Sequence, residues 1–178
     1  RLEGTVGVER LAAGGSADHH AQARAYRTDF EHFRADPALA EEVFGPVTLV
    51  VTLESMAELQ AAADNLQGQL TAGIHATEAE AAANGTLLRL LQRRAGRVLF
   101  NGYPTGVEVG EAMVHGGPYP ATTDSRSTSV GTLAIDRFLR PVALEDMPDP
   151  ALQPALQDAN PLGLPRLVDG EPEPGASR

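Results

Sequence analysis

The segment Val47-Thr48-Leu49-Val50-Val51-Thr52-Leu53 is a nearly continuous apolar run, and Ser55 and Glu58 follow it closely. The run suits a strand buried on both faces, as in parallel sheets. Ser55 and Glu58 form an S-x-x-E capping box, the signature of a helix start. Leu59, Ala62, Ala63 and Leu66 then recur at helical spacing, and Gly68 is expected to end that helix. Leu70, Ala72, Ile74 and Ala76 alternate with Thr71, Gly73 and His75, the period of a strand. Thr77 and Glu80 make a second capping box. A helix rich in Ala and Leu is expected from there to about Arg94, stopped by Gly96. Arg97-Val98-Leu99-Phe100-Asn101 reads as a third strand. The order strand, helix, strand, helix, strand predicts parallel strands joined by right-handed crossovers. The predicted fold class is therefore α/β: an open, mostly parallel sheet with helices on both faces. Ligands in such sheets gather beyond the C-terminal strand ends. The stretch Asn101-Gly102-Tyr103-Pro104-Thr105-Gly106 begins at such an end.

Toward the N-terminus, Thr5 to Leu11 and Ala23 to Thr28 read as short strands. A loop containing Gly14-Gly15-Ser16 and His19-His20 joins them. Between Phe33 and Glu42, Asp36-Pro37 suits a short helical turn with Pro at its first position. Toward the C-terminus, Gly106 to Gly131 is rich in Gly, Pro, Ser and Thr, and long segments of that kind are usually functional or disordered. Leu133 to Leu144 reads as a strand interrupted by Pro141, hence an edge strand. Ala151 to Ala159 suits a short helix, and a flexible tail is expected after Leu167.

Composition narrows the chemistry. With 178 residues the chain can build one domain with a real core. Its formal net charge of -10 argues against a polyanion-binding surface. Arg89, Arg93, Arg94 and Arg97 cluster, but they read as cations suited to the C-terminal dipole of a helix. The absence of cysteine excludes disulfides, zinc-thiolate sites and thiol catalysis within this chain. With no Trp and 4% aromatic residues, no stacking platform for single-stranded nucleic acid is suggested. There is no apolar run of about 18 residues, so no membrane span is expected, and no signal-peptide pattern opens the sequence. His19 and His20 are adjacent, with only Asp18 nearby, so no metal site is expected. His115 is expected to order its Gly-Gly-Pro loop by hydrogen bonds. A hydrolase built from Ser125, His115 and Asp124 would lack the G-x-S-x-G elbow.

One hexapeptide carries a resemblance. Glu41-Glu42-Val43-Phe44-Gly45-Pro46 resembles the E-E-x-F-G-P signature of the NAD(P)-dependent aldehyde dehydrogenases. Phe100 to Val109 and His115 to Thr122 are similar to one branch of that superfamily. The branch includes the α-ketoglutaric semialdehyde (2,5-dioxopentanoate) dehydrogenases and the NADP-dependent fatty aldehyde dehydrogenases. Thr128 to Thr132 and Arg137 to Val142 continue the likeness, which covers roughly Phe30 to Gly170.

The resemblance implies three segments. Residues 1–131 would be the C-terminal part of the catalytic domain, 132–145 an oligomerisation strand, and 146–178 a C-terminal extension and tail. The dinucleotide-binding half would be absent, and no G-x-G-x-x-G run is present. Glu42 would bind the nicotinamide ribose, because one carboxylate can accept from two hydroxyls. Phe44 would pack beside the nicotinamide ring. Asn101, Pro104 and Thr105 would wall the substrate tunnel, although the same residues also make an ordinary turn. Arg126 has two readings: a bidentate partner for a substrate carboxylate, or a tie from its loop to backbone carbonyls. In the family a Cys thiolate attacks the aldehyde and a Glu activates the hydrolytic water. Both lie before the E-E-x-F-G-P motif, so a chain without Cys is expected to be a fragment, inactive alone. The implied cofactor is NAD or NADP, bound by the full-length enzyme. The implied partners are an aldehyde, the N-terminal half of the same protein, and further copies joined through Leu133 to Leu144. Neither nucleic acid nor a membrane is implied, and the setting implied is cytoplasmic. The alternative is a catalytically dead module used in subunit assembly.

Overall fold

The computed structural model describes residues 1–15 and 18–175. Ser16 of the N-terminal loop and the last three tail residues lie outside the described residues. The chain divides into two compact units, Arg1–Phe138 and Leu139–Arg178.

The first unit contains two sheets rather than one. β1 (Glu9–Ala13), β2 (Arg24–Asp29) and β3 (Val47–Thr52) form the first, in that order. β1 and β2 are antiparallel; β2 and β3 are parallel, from Arg24 opposite Val47 to Asp29 opposite Thr52. β4 (Gln69–Ile74) and β5 (Ala95–Phe100) form a separate parallel pair. β3 and β4, joined by the helix that follows β3, are therefore not neighbours. Only about two-thirds of sequential strands are adjacent in space. The expectation that β3 is buried on both faces also fails. Its residues alternate half-buried and exposed, because Val47 and Leu49 meet a core on one side only.

The first sheet is held by Leu2, Tyr26 and Leu39, with Val8, Phe33, Val43, Val47 and Leu49 around them. Phe33 comes from α1 (Phe30–Ala35), a helix that the sequence reading did not anticipate. Asp29 starts it, accepting from the backbone N–H of His32 at 2.9 Å and meeting the His32 ring at 2.8 Å. The Asp36-Pro37 turn is present as a 3-10 helix, Pro37–Ala40, with Asp36 accepting from Ala38 N–H.

The second pair has helices on one face. α2 (Met56–Asn65) and α4 (Gly85–Arg94) bury Ala63, Leu87, Leu90 and Leu91 against Ala72, Ile74 and Val98. Leu87, Leu90 and Leu91 make the i, i+3, i+4 stripe of an amphipathic helix, and burying each leucine contributes about 1.5–3 kcal/mol. The two-faced helical cover that the sequence suggested is not what forms here. Alternation sends Thr71 and Arg97 to the opposite face, and irregular chain covers that face instead.

Both capping boxes act, in different ways. Thr77 and Glu80 bond reciprocally, each side chain accepting from the other's backbone N–H. Ser55 accepts from Glu58 N–H, but Glu58 reaches back one residue further, to Glu54 N–H. The single helix expected to Arg94 is two: α3 (Glu78–Ala83) ends at Asn84, and α4 starts at Gly85. The Asn84 side chain donates to Glu80 O at 2.8 Å, competing with the helical ladder. Neither expected glycine stop is one. α2 ends before Gly68, while Gly96 lies inside β5. Each instead faces backbone where a side chain would sit: Gly68 the carbonyls of Pro118 and Tyr119, Gly96 the Gly116 carbonyl.

The expected edge strand is also corrected. Thr132–Phe138 is a 3-10 helix, and the residues to Leu144 are irregular. Strands need a ladder of partners for their backbone groups; among the described residues this segment pairs with no strand, and it forms turn bonds such as Ala134 N–H to Gly131 O, 3.1 Å. In the second unit the helix expected over Ala151–Ala159 gives way to short 3-10 helices, Asp149–Ala151 and Pro154–Leu156. Pro154 lacks the N–H that a continuous helix would need. The described part of the expected tail includes a hairpin, β6 (Arg166–Val168) and β7 (Glu171–Glu173). Its Asp169-Gly170 turn has positive φ at both positions, 52° and 85°, as two-residue hairpin turns require.

Candidate active site

The E-E-x-F-G-P segment is anchored on both sides of its acids. Leu39, just before, is buried, and Val43, just after, packs on the same core. Glu41 and Glu42 between them are exposed. Arg1 clamps Glu41, pairing with its carboxylate at 2.8 Å and donating to its carbonyl and that of Ala38. Glu42 forms no ion pair among the described residues. Gly45 then turns the chain at φ 136°, a conformation that excludes side chains in practice. Pro46 O accepts from Arg24 N–H at 2.9 Å, which starts the β2–β3 ladder.

Glu41 and Glu42 open onto a cleft of about 820 Å³. Its floor includes Gln69 and Thr71 of β4 and Arg97 of β5. Pro104, Thr105, Gly106, His115 and Ala121 supply other walls. Arg97 holds one of those walls, donating from Nη1 to Gly106 O at 2.8 Å. His115 is fixed through its backbone: its N–H donates to Thr128 Oγ1 at 2.8 Å, and its carbonyl accepts from Ser129 N–H at 3.0 Å. Its Nδ1 is buried and has no hydrogen-bond partner among the described residues.

The residues singled out in the sequence thus separate. Glu42, Pro104 and Thr105 share the cleft. Phe44 lies outside its lining and is 95% exposed, an uncovered flat ring. Asn101 has a structural task. At φ 50° its side chain accepts from Ala76 N–H at 2.9 Å and donates to Ala76 O at 2.8 Å, while its own N–H bonds Ile74 O. Arg126 is also outside the cleft lining; its side chain is 95% exposed and 3.9 Å from Asp124. Thr71 and Arg97 also line the cleft, and nothing in the sequence reading singled them out for it. Arg97 had been counted with the cations at a helix end, yet its place in the alternating run Ala95–Phe100 puts it opposite Val98, on the non-helical face.

The sequence profile of the aldehyde dehydrogenase family matches residues 13–130, which include the E-E-x-F-G-P segment and every cleft wall. The chain belongs to the aldehyde dehydrogenase family. Two relatives align closely with this aldehyde dehydrogenase chain. Alpha-ketoglutaric semialdehyde dehydrogenase 2 of Azospirillum brasilense is 47% identical over 175 residues, which are 97% of this chain and 33% of that protein. Alpha-ketoglutaric semialdehyde dehydrogenase of Acinetobacter baylyi is 55% identical over 135 residues, 76% of this chain and 26% of that protein. The chain therefore spans a third or less of the length of these relatives. Among solved structures, the Delta-pyrroline-5-carboxylate dehydrogenase of Mycobacterium tuberculosis superposes with a TM-score of 0.58 at 22% identity, over 87% of this chain and 29% of that one. A structure of that enzyme bound with NAD gives 0.57 at 20% identity, over 85% and 28% of the two chains. At these identities the likeness establishes the α/β fold of the family.

Proposed function

We propose that this chain is the C-terminal part of the catalytic domain of an NAD(P)-dependent aldehyde dehydrogenase. Its substrate is α-ketoglutaric semialdehyde or a similar aldehyde, oxidised to the carboxylic acid. The observation that supports this most is Glu42: an exposed carboxylate, free of ion pairs beside a neighbour that Arg1 neutralises, in the same cleft as Pro104 and Thr105. Such a carboxylate can accept hydrogen bonds from two ribose hydroxyls. Phe44, almost wholly uncovered, offers an apolar face for a flat heterocycle. Both residues fit a nicotinamide nucleotide, which as NAD or NADP supplies the two-electron acceptor when bound.

Pro104 and Thr105 limit where an aldehyde can sit in the cleft, and Arg97 keeps their loop closed by holding Gly106. The chain contains no cysteine, so the attacking thiolate comes from residues outside it, and the chain alone is inactive. Leu133 to Leu144 is the segment through which copies would pair, in a cytoplasmic setting. That pairing requires the 3-10 turns of Thr132–Phe138 to open into extended chain, where their ladder groups can be satisfied.

The test is an aldehyde panel on the protein encoded by the complete reading frame, followed by reduced-nicotinamide absorbance with NAD and with NADP. α-Ketoglutaric semialdehyde is expected among the best substrates. Glu42→Gln is expected to raise the cofactor KM about tenfold, the loss expected when a hydrogen bond loses its charged partner. If no aldehyde is oxidised with either nucleotide, the enzymatic reading is wrong and the assembly module is favoured. If Glu42→Gln leaves cofactor KM and kcat unchanged, Glu42 has no part in holding the nucleotide.

A further inference from the structure

Arg97 stands apart from the other described arginines near the cleft. Its side chain is half-buried on the non-helical face of β5, directly opposite Thr71 in register. Among the described residues it forms no ion pair, whereas Arg1 pairs with Glu41 and Arg94 with Asp64. Among the described residues its one hydrogen bond is from Nη1 to Gly106 O, and its buried Nε has no partner. A guanidinium carries five donors, and a partly desolvated cation without a counter-charge costs free energy. The protein supplies one neutral acceptor, so most of the fork is left unanswered. The cleft that Arg97 lines is large enough for a small organic acid, and Pro104, Val107 and Ala121 wall it with apolar surface that would strengthen an ion pair.

We propose that Arg97 is the specificity-determining cation of the site and binds the carboxylate that the substrate carries at the end remote from its aldehyde. The inference rests on the preceding reading that the substrate is a semialdehyde of a carboxylic acid. Its geometry is set by two constraints. Gly106 O occupies Nη1, and Nη2 has no hydrogen-bond partner among the described residues, so it remains to donate to the acid. Thr71, facing Arg97 across the β4–β5 ladder, places a hydroxyl on the same floor. Glu41 does not compete for the cation, since Arg1 holds it. Arg126, the other arginine considered for this role, lies outside the cleft lining and points into solvent.

The experiment compares kcat/KM for glutaric semialdehyde and for pentanal, which share a chain length and differ in the terminal carboxylate. It uses the full-length enzyme and its Arg97→Gln, Arg97→Lys and Arg126→Gln variants. Arg97→Gln is expected to lower kcat/KM for the acid about tenfold more than for pentanal, whose own loss is only that of releasing Gly106. Arg97→Lys is expected to restore part of the preference, because a point charge keeps the attraction and loses the fork. Arg126→Gln is expected to behave as wild type. Equal wild-type efficiency on both aldehydes overturns the acidic-substrate reading, and the proposal with it. A wild-type preference for the acid that survives in Arg97→Gln overturns the assignment of Arg97 alone. Equal losses on both aldehydes mean that Arg97 only supports the loop. A change confined to the cofactor KM means that it serves Glu42. Either result overturns the proposal.

Discussion

The β4–β5 pair is packed by two opposite means. Along the strands, leucines of α4 and side chains of α2 interdigitate with Ala72, Ile74 and Val98. At the start of the strands, irregular chain approaches so closely that glycines replace side chains: Gly68 against Pro118 and Tyr119, Gly96 against Gly116. The helical packing is stabilised by removal of apolar area from water. The irregular contact depends on backbone fit. The first tolerates exchange of one apolar side chain for another of similar volume; the second does not tolerate even a methyl group at its contacts.

The contrast can be broken from either side. Leu91→Ala should have the largest effect, a loss of about 3 kcal/mol, since a truncated core leucine leaves a cavity in addition to the lost transfer energy. Urea denaturation measures it. A loss under about 1 kcal/mol would mean that the helical face is loosely packed. Gly96→Ala comes next, at about 2 kcal/mol, although it adds a methyl group to a strand where alanine is ordinarily no worse than glycine. A neutral or stabilising result would show that the irregular cover can retreat, and would dissolve the distinction.

The smallest effect compares the acids of the two sides. Glu80 in the α3 cap is held below the usual carboxylate range, chiefly by Thr77 N–H; Asp124 in the irregular cover is held low chiefly by Arg126 N–H. For both, the folded value lies below the unfolded one. Their contribution is therefore complete above the unfolded value and is lost as pH falls through the folded value. Glu80→Gln and Asp124→Asn should each flatten the acid limb of a stability–pH profile slightly, leaving its neutral plateau parallel to wild type. If either variant leaves the acid limb unaltered, that hydrogen bond does not persist in solution.

The same contrast explains what could be read from the sequence. Capping boxes and the spacing of Leu87, Leu90 and Leu91 report packing that repeats with the period of a helix, and those elements lie close to where they were expected. The parallel direction of β4 with β5 agrees with the expected helical crossover, whereas that of β2 with β3 was not read, because α1 between them was not. Which strands are neighbours was not legible, because a ladder is set by backbone partners far along the chain. The glycine contacts were visible only as glycines, and glycine is equally the residue of turns and helix ends. Of the residues singled out for the site, Glu42, Pro104 and Thr105 line one cleft, while Phe44, Asn101 and Arg126 lie outside its lining. Arg97 was hidden because a cation next to a helix end has a ready explanation, until the strand boundary at Ala95 removes it.

Asn101 has one more consequence. Its amide makes with Ala76 the pair of bonds that another residue of a strand would have made, adding a rung to the ladder after the backbone has turned away. At the far end, Gly106 is latched to Arg97. The residues between are thus a cassette with two fixed ends. Its interior can change in length or composition, reshaping the cleft wall, while the sheet beneath is left untouched.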